Sequence, residues 1–157
     1  MMDETYFITP DGLKKIEKDL QYLITVRRPQ VAERLHNALA EGGELGEDAE
    51  YEDAKNEQAF VEGEIARLEL ILSNAEVISE EGAKDQVRLG TWVTLVEKGT
   101  EDEEVYHIVG EAEANPAEGK ISYKSPLGSA LMDHRIGDEV AVEAPDGELV
   151  FIVRAIE

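Results

Sequence analysis

Residues 51–75 read YEDAKNEQAFVEGEIARLELILSNA and carry the most regular pattern in the chain. On one side of this stretch, residues recur at alternating spacings of three and four, the period of a helix that packs along a single seam. The seam consists of Tyr51, Ala54, Gln58, Val61, Ile65, Leu68, Leu72 and Ala75. Its one polar member is Gln58. The spacing predicts one long helix with a continuous stripe for packing.

A second helix is predicted upstream. Thr9 is placed to cap its start, Pro10 fits its first turn, and Asp11 suits the positive end of the helix dipole. Its apolar stripe is Leu13, Ile16, Leu20 and Leu23, and it restarts one residue out of phase as Ile24, Val31, Leu35 and Ala38. The phase slip is assigned to Arg27-Arg28-Pro29. A proline inside a helix predicts a kink or local irregularity here, not the end of the helix.

Gly42, Gly43 and Gly46 separate the two helices. Two long helices joined by a short turn run antiparallel and bury their stripes against each other. The stretch from Asp11 to Glu41, about 30 residues, would extend about 45 Å as a helix, which is longer than a domain of this size needs for packing. The sequence therefore predicts a helical hairpin that holds its turn at a distance.

The hydrophobic pattern changes after residue 78. Residues 79–85 have neither helical nor strand character and form the predicted linker. Alternating β-branched and aromatic residues then mark strands near 87, 92–95, 105–109, 121–123, 140–142 and 150–153. Pro145-Asp146-Gly147 indicates a hairpin turn, and 129–132 a short helix. We predict an α+β chain: a coiled-coil helical hairpin over 1–78, a linker over 79–85 and an antiparallel β domain over 86–157.

The charge of the chain is one-sided, with a formal net charge of -21. Such a charge repels phosphate backbones and disfavours direct, non-specific binding of nucleic acid. It favours a partner with a basic docking surface or a divalent cation, although the plainer interpretation is that it serves solubility. The chain has no cysteine, which excludes disulfides and thiol chemistry. Without a leader segment or an apolar run of about 20 residues, we expect no membrane association and a cytoplasmic protein.

Carboxylates are concentrated around the predicted turn. Between residues 41 and 57 they outnumber the one cation, Lys55, and they are Glu41, Glu44, Glu47, Asp48, Glu50, Glu52, Asp53 and Glu57. Acidic residues suit a helix start, so a solvated helix start is the plainer interpretation. Glu44 and Glu47 bracket the turn, however, and Mg²⁺ is held by one or two carboxylates together with waters and substrate oxygens.

The remaining chemistry-bearing residues give no such grouping. His36, His107 and His134 lack the spacing of metal ligands or of a catalytic triad, and we interpret them as packing or surface residues. No glycine-rich phosphate loop is present either. The sequence thus predicts an acidic turn and no complete active site.

The stretch from Gly43 to Tyr51, GELGEDAEY, resembles the tip motif of the Gre transcript-cleavage factors. Further stretches resemble this family in the same order along the chain: ITPDGL at 8–13, VRRP at 26–29, LSNAEVI at 72–78, YHIVG at 106–110 and SPL at 125–127. Several motifs in order are far more specific than one. The resemblance spans nearly the whole chain, and it is strongest to the A-type members of the family.

The resemblance implies a partner and a mechanism. In this family the hairpin enters the secondary channel of a backtracked bacterial RNA polymerase, and two tip acids help hold a second Mg²⁺ and position the water that hydrolyses the RNA near its 3′ end. The cation is held jointly with the polymerase, and the factor alone binds none tightly. The factor is thus an accessory protein, not an enzyme. We expect it to act as a monomer.

By matching positions, Glu44 and Glu47 take the roles of the two tip acids. Asp48 stands where the family usually has asparagine and is a further candidate ligand. The first acid is normally aspartate, so Glu44 adds a methylene and about 1.5 Å of reach. This departure changes the geometry that the site would offer a metal ion.

Lys55 stands at a basic position of the family that contacts RNA, whereas Ala40 occupies another basic position and leaves Lys55 without that helper. The family's C-terminal domain has a fold like the FK506-binding proteins and docks on the rim of the channel. The loop formed by Ser125, Pro126 and Leu127 is the candidate contact with that rim.

Two alternative functions stay open. The first is an inhibitor that occupies the channel without cleavage, in which an extra acid such as Asp48 holds the metal ion unproductively. The second is a peptidyl-prolyl isomerase or holdase chaperone, with the hairpin as a clamp for client proteins. The strand segments contain few aromatic residues to line an apolar proline pocket, which disfavours the isomerase.

Overall fold

The computed structural model describes residues 4–42 and 49–157, which divide into two compact units. Leu13–Asn74 forms the helical unit, and Met1–Gly12 together with Ala75–Glu157 forms the β unit. This division differs from the predicted limits of 1–78, 79–85 and 86–157. The difference arises because both ends of the predicted hairpin segment contribute a strand to the β unit.

The described part of the helical unit contains three α-helices, the first of which begins three residues before Leu13, and one π-helical turn. Helix α1 spans Pro10–Tyr22, the π-helical turn spans Leu23–Arg27, α2 spans Arg28–Gly42, and α3 spans Ala49–Ser73. Arg28 at the start of α2 binds Glu62 in the middle of α3, whereas Arg34, farther along α2, binds Glu50 at the start of α3. The two helices therefore run antiparallel, as predicted for a helical hairpin. In the described part of the chain, no helix has both the length and the apolar character to cross a membrane.

The start of α1 is capped as predicted. The Thr9 hydroxyl oxygen accepts a hydrogen bond of 3.0 Å from the backbone N–H of Gly12. This bond satisfies one of the backbone donors that have no partner within the first turn of a helix. Thr9 is buried, and its backbone N–H and hydroxyl also donate to the Glu113 carboxylate at 2.7 and 2.5 Å. Thr9 is therefore held both by the first turn of α1 and by the Glu113 carboxylate.

The irregularity predicted near Pro29 is confirmed, and it lies on the N-terminal side of the proline. The backbone N–H of Arg28 donates to the carbonyl oxygen of Leu23, five residues back, in the wider turn of a π-helix. A proline ring crowds the carbonyl oxygen four residues before it, and a wider turn relieves such crowding. The predicted restart of the stripe at Ile24 is wrong, since Ile24 is 37% exposed. Val31 and Ala38 are buried as predicted.

The predicted seam of α3 is confirmed. Ala54, Val61, Ile65 and Leu68 are buried, and the other seam residues of α3 are partly buried. Val31, Val61 and Ile65 form one apolar cluster, with Leu20 and Leu23 packed against it. Because burial of apolar surface is the main favourable term in folding, this cluster stabilises the helical unit.

Gly63 lies in the interior of α3, and no packing contact requires a glycine there. A Cβ atom added at this position would have no neighbour within 4 Å. Glycine in a helix interior costs about 1 kcal/mol relative to alanine. We expect Gly63→Ala to raise the free energy of unfolding by about 0.5–1 kcal/mol, measured by denaturant unfolding. Gly110→Ala is the opposite control. A Cβ atom there would overlap the backbone oxygen of Phe7, so this variant should be destabilised.

The β unit contains two sheets. Strands β1 (Tyr6–Ile8) and β2 (Ala75–Val77) form a parallel pair in which Tyr6 faces Ala75 and Ile8 faces Val77. The larger sheet has the order β5-β4-β3-β7-β6, formed by β3 (Trp92–Glu97), β4 (Glu103–Val109), β5 (Lys120–Ser122), β6 (Glu139–Ala144) and β7 (Gly147–Ile156). The prediction of an antiparallel sheet is wrong for one pair, because β4 and β5 run parallel.

The larger sheet is curled. Strand β7 has ten residues and pairs with both β3 and β6, and its register against β3 shifts between Thr94 and Leu95. Such irregularities increase local twist and bend a strand. Residues of the strands, together with Val87 and with Leu131 of the helix at Pro126–Leu131, form the core of the unit. Its members are Val87, Val93, Leu95, Ile108, Leu131, Val140, Val142, Phe151, Val153 and Ile156. The chain is thus α+β, with an N-terminal helical hairpin and a C-terminal curled β-sheet.

The predicted turn and short helix are both present in the β unit. Ala144 pairs with Gly147, so Pro145 and Asp146 form the turn between β6 and β7. Gly147 has a φ of 126°, which favours glycine. Helix α4 spans Pro126–Leu131 and begins three residues before the predicted range of 129–132. The predicted linker at 79–85 has neither helix nor strand.

Candidate functional site

The predicted tip acids Glu44, Glu47 and Asp48 lie outside the residues that the structure describes. Their assignment therefore stays a prediction. The structure does describe both helix ends that border them: α2 ends at Gly42, and α3 begins at Ala49. The contacts between these two helix ends are therefore the described geometry that lies nearest in sequence to the predicted site.

Arg34 joins the two helices close to these ends. Its Nε atom donates to Glu50 Oε1 at 2.6 Å, and its Nη2 atom donates to Glu50 Oε2 at 3.1 Å. Glu50 is the second residue of α3. A guanidinium bound to both oxygens of one carboxylate is a charge-assisted pair with defined geometry. The start of α3 is thereby held to the side of α2.

Glu57 extends this pair into a network. It accepts hydrogen bonds from Arg34 and from Arg27, the last residue of the π-helical turn. Arg27 and Arg34 are seven residues apart, as are Glu50 and Glu57, so the four residues flank the seam in heptad register. Hydrogen bonding to Arg34 lowers the pKa of both Glu50 and Glu57. Both carboxylates are therefore ionised at neutral pH.

This network was missed from the sequence. Counting charges between residues 41 and 57 left Lys55 as the one cation for eight carboxylates, but two of those carboxylates are paired with arginines outside that window. The matching seven-residue spacings of arginine and glutamate were the available signal. The acidic excess at this end of the hairpin is therefore smaller than the local count indicates.

Lys55, predicted to contact RNA, is exposed on α3. Ala40, at the position where the family resemblance implies a second basic residue, is exposed on α2. Lys55 is in the second turn of α3, and its exposure leaves the ammonium group accessible to a partner. Its role stays a prediction.

Within residues 4–42 and 49–157, no group of three or more histidine, aspartate or glutamate side chains is arranged to hold a metal ion. The predicted ligands of a hard cation, Glu44 and Glu47, lie outside these residues, and their role stays a prediction. Two carboxylates form an incomplete ligand set, which fits a cation whose other ligands come from a partner, from water and from substrate.

The predicted docking loop is the start of a helix. Ser125 is the N-cap of α4: its hydroxyl accepts from the Gly128 N–H at 3.0 Å and donates to the Ser122 carbonyl at 2.6 Å. Leu127 packs against the core of the β unit, whereas Pro126 is exposed. Of the three predicted contact residues, Pro126 therefore offers the most accessible side chain.

The histidines are placed as the sequence analysis predicted. His107 is buried, and its ring stacks on Trp92 with centroids 4.2 Å apart. Burial lowers the pKa of His107, which favours the neutral imidazole. His36 is exposed on α2, and His134 is partly buried near its own backbone. His107 thus serves packing of the β unit.

An antiparallel helical hairpin, with an acid-rich sequence between its two long helices, precedes a curled five-stranded sheet, and this combination defines a two-part α+β protein. Two family models match the chain: "Transcription elongation factor, N-terminal" over residues 6–77, and "Transcription elongation factor, GreA/GreB, C-term" over residues 82–157. The chain belongs to the GreA/GreB family of transcription elongation factors.

Individual relatives agree with this family. The chain is 50% identical over 147 residues to transcription elongation factor GreA of Thermoanaerobacter pseudethanolicus, covering 93% of each chain. It is 45% identical over 148 residues to transcription elongation factor GreA of Bacillus subtilis, covering 94% of each. Among solved structures, the transcription factor Gfh1 matches with a TM-score of 0.50 and 31% identity over 99% of both chains.

Proposed function

We propose that this protein is a bacterial transcription elongation factor that stimulates RNA polymerase to cleave backtracked nascent RNA and so rescues arrested complexes. The observation that carries the proposal is similarity along nearly the whole chain to elongation factors named GreA, at 45–50% identity. The helical hairpin supports it, because a long narrow arm can place residues inside a channel. The acidic sequence between the two long helices supports it as well.

In this proposal, the hairpin enters the secondary channel of the polymerase, and Glu44 and Glu47 contribute carboxylates to a Mg²⁺ ion held jointly with the polymerase. The ion would stabilise charge on the oxygens involved in phosphodiester hydrolysis. Glu44 and Glu47 would hold it from one side and orient the attacking water. Asp48 is a further candidate ligand. The chain itself is an accessory factor and hydrolyses no RNA alone.

The exposed ammonium group of Lys55 would contact the RNA near its 3′ end. The net charge of -21 favours a partner with a basic surface and disfavours direct binding to bare nucleic acid. A factor that acts on RNA polymerase works where transcription takes place, in the bacterial cytoplasm. We propose that it does so as a monomer.

We further propose that the β unit has a fold like the FK506-binding proteins and docks on the rim of the channel. The curled sheet packed against α4 supports this fold. The exposed Pro126 at the start of α4 is the candidate contact. Isomerase activity is disfavoured, since the strand segments contain few aromatic residues to line an apolar proline pocket.

The deciding experiment adds the purified factor to stalled RNA polymerase that carries RNA labelled at its 5′ end. We expect the labelled RNA to shorten from its 3′ end in the presence of both proteins. Neither the factor with free RNA nor the polymerase alone at the same Mg²⁺ concentration should shorten it at a comparable rate. Slower extension without shortening would instead establish the channel-occupying inhibitor, and a proline-peptide isomerisation assay checks the chaperone alternative.

A further inference from the structure

We propose that Arg34 is a positioning residue, which clamps the end of α2 to the start of α3 and thereby fixes the two points between which the acidic turn is held. The clamp consists of Arg34, Glu50, Glu57 and Arg27. Its effect on RNA cleavage rests on the proposed function. The clamp itself is a property of the hairpin and can be tested without polymerase.

The position of Arg34 suits this role. Arg34 lies about two helical turns before the end of α2 at Gly42, and Glu50 lies in the first turn of α3. The two bonds of 2.6 and 3.1 Å use both oxygens of Glu50. A planar guanidinium fork fixes distance and orientation together, which the single charged atom of a lysine does not. The clamp therefore restrains how far the helix ends separate and how they rotate.

Among the side chains that the structure describes, which exclude residues 41–48, apolar packing is thin at this end of the hairpin. Within that set, the buried residues nearest to the predicted turn are Ala38 on α2 and Ala54 on α3, whereas Val31, Val61 and Ile65 form the apolar cluster farther from it. Burial contributes roughly 25 cal/mol per Å² of apolar surface, so alanine contributes far less than valine or isoleucine. Near the turn, the polar clamp must therefore define the spacing that side-chain packing defines elsewhere.

The clamp is a network and not an isolated surface pair. Exposed ion pairs usually contribute little, but bidentate arginine pairs and networks of several charges are the exceptions. Glu57, in the third turn of α3, is shared by Arg34 and Arg27, which links the π-helical turn to α3. Because Glu57 is bound by two arginines, its carboxylate has less capacity to bind another partner.

The helical hairpin provides a matched control. Arg28 on α2 binds Glu62 on α3 through two bonds of 2.8 Å each, and both side chains are partly exposed. This pair has the same chemistry and joins the same two helices, but it lies farther from the turn. Replacing Arg28 removes the same charge and one cross-helix pair without touching the clamp.

The activity test compares these arginines in the stalled-polymerase assay. Arg34→Ala should lower the maximal cleavage rate about tenfold or more, since small misplacement of reacting groups is costly, while the half-saturating factor concentration changes less than about twofold. Arg34→Lys keeps the charge and loses the fork, so it should lose most of the same rate. Arg28→Ala should change either quantity less than about twofold.

A second comparison separates positioning from attraction of RNA by a positive charge. Glu50→Gln leaves Arg34 in place and breaks the clamp, so we expect a loss of rate close to that of Arg34→Ala. If Arg34 acted by attracting RNA, Glu50→Gln would preserve or raise the rate. The charge-swapped double variant Arg34→Glu with Glu50→Arg should recover part of the rate that either single reversal loses.

A physical measurement decides the clamp independently of activity. The chain has no cysteine, so spin labels can be attached at Leu39→Cys and Asp53→Cys, two exposed positions on α2 and α3 near the turn. Arg34→Ala should broaden the distribution of distances between the labels, and Arg28→Ala should leave it narrow.

The outcomes separate the two proposals. If Arg34→Ala broadens the distances no more than Arg28→Ala does, the clamp is refuted whatever the activity. If it broadens them and cleavage still equals that of Arg28→Ala, the positioning role is refuted. If the parent protein stimulates no cleavage at all, the proposed function fails, and the distance distribution alone decides whether Arg34 holds the two helix ends.

Discussion

Replacing either Glu44 or Glu47 by alanine is expected to lower stimulated RNA cleavage by about 100-fold, the scale on which loss of one charge-stabilising group acts on a reaction. Affinity for RNA polymerase should change less than about threefold. A carboxylate that helps hold Mg²⁺ acts on the charge that develops during hydrolysis. Docking should instead depend on the β unit and the flanks of the hairpin, so binding and catalysis separate.

The measurement is a series of cleavage rates over Mg²⁺ concentration, together with binding constants for polymerase. Higher Mg²⁺ should restore part of the activity if weakened metal binding is the cause. Glu52→Ala is a suitable control, since Glu52 is an exposed acid on α3 close to the turn, and it should cleave like the parent. Asp48→Asn should retain activity. Alanine variants of Glu44 and Glu47 that both cleave like the parent would reduce the turn to a solvated helix connection.

The helical hairpin could be predicted from the sequence because each of its signals is local. The alternating spacing of the α3 seam, the Thr9 cap and the breaker Pro29 act within one or two turns of the residues that carry them. The residue at which the first apolar stripe ends could not be predicted. The π-helical turn at Leu23–Arg27 has a wider repeat than an α-helix, so the α-helical period does not apply to Ile24, which is exposed.

Several strand pairings could not be predicted because the paired strands are not joined by a short turn. Strands β1 and β2 have three residues each and are separated by the whole helical unit, so no alternation within either one reports its partner. The parallel pairing of β4 with β5 likewise depends on the path of residues 110–119 between them. In contrast, the β6–β7 hairpin has a two-residue turn, and its chemistry was visible at Pro145-Asp146-Gly147.

The candidate site was predictable in part. The sequence predicts Glu44 and Glu47 as its acids because resemblance to a family gives them a role that charge alone does not, and this assignment stays a prediction. The residues that border them were not found, because the partners of Glu50 and Glu57 are 16 to 30 residues away on another helix. Which arginine meets which glutamate depends on the register of the two helices. That register follows from the length of the turn and from packing farther along the seam.

Replacing Leu68 by alanine is expected to reduce the free energy of unfolding of the hairpin by about 2–5 kcal/mol. Leu68 is 5% exposed on the seam side of α3. Its truncation therefore removes buried apolar surface and also leaves a cavity that the neighbouring helices fill only in part. Since whole domains are stable by only about 5–15 kcal/mol, this is a large share.

Leu70 is the matched control, because it is the same residue type on the same helix, two positions away, and 54% exposed. Leu70→Ala should change the free energy of unfolding by no more than about 0.5 kcal/mol. Both variants are compared by urea unfolding followed through helical circular dichroism, which reports mainly on α1, α2 and α3. Equal midpoints for the two variants would refute the assignment of Leu68 to the interior. A lower midpoint for Leu68→Ala alone would show that the seam carries the stability of the arm, because only burial distinguishes the two leucines.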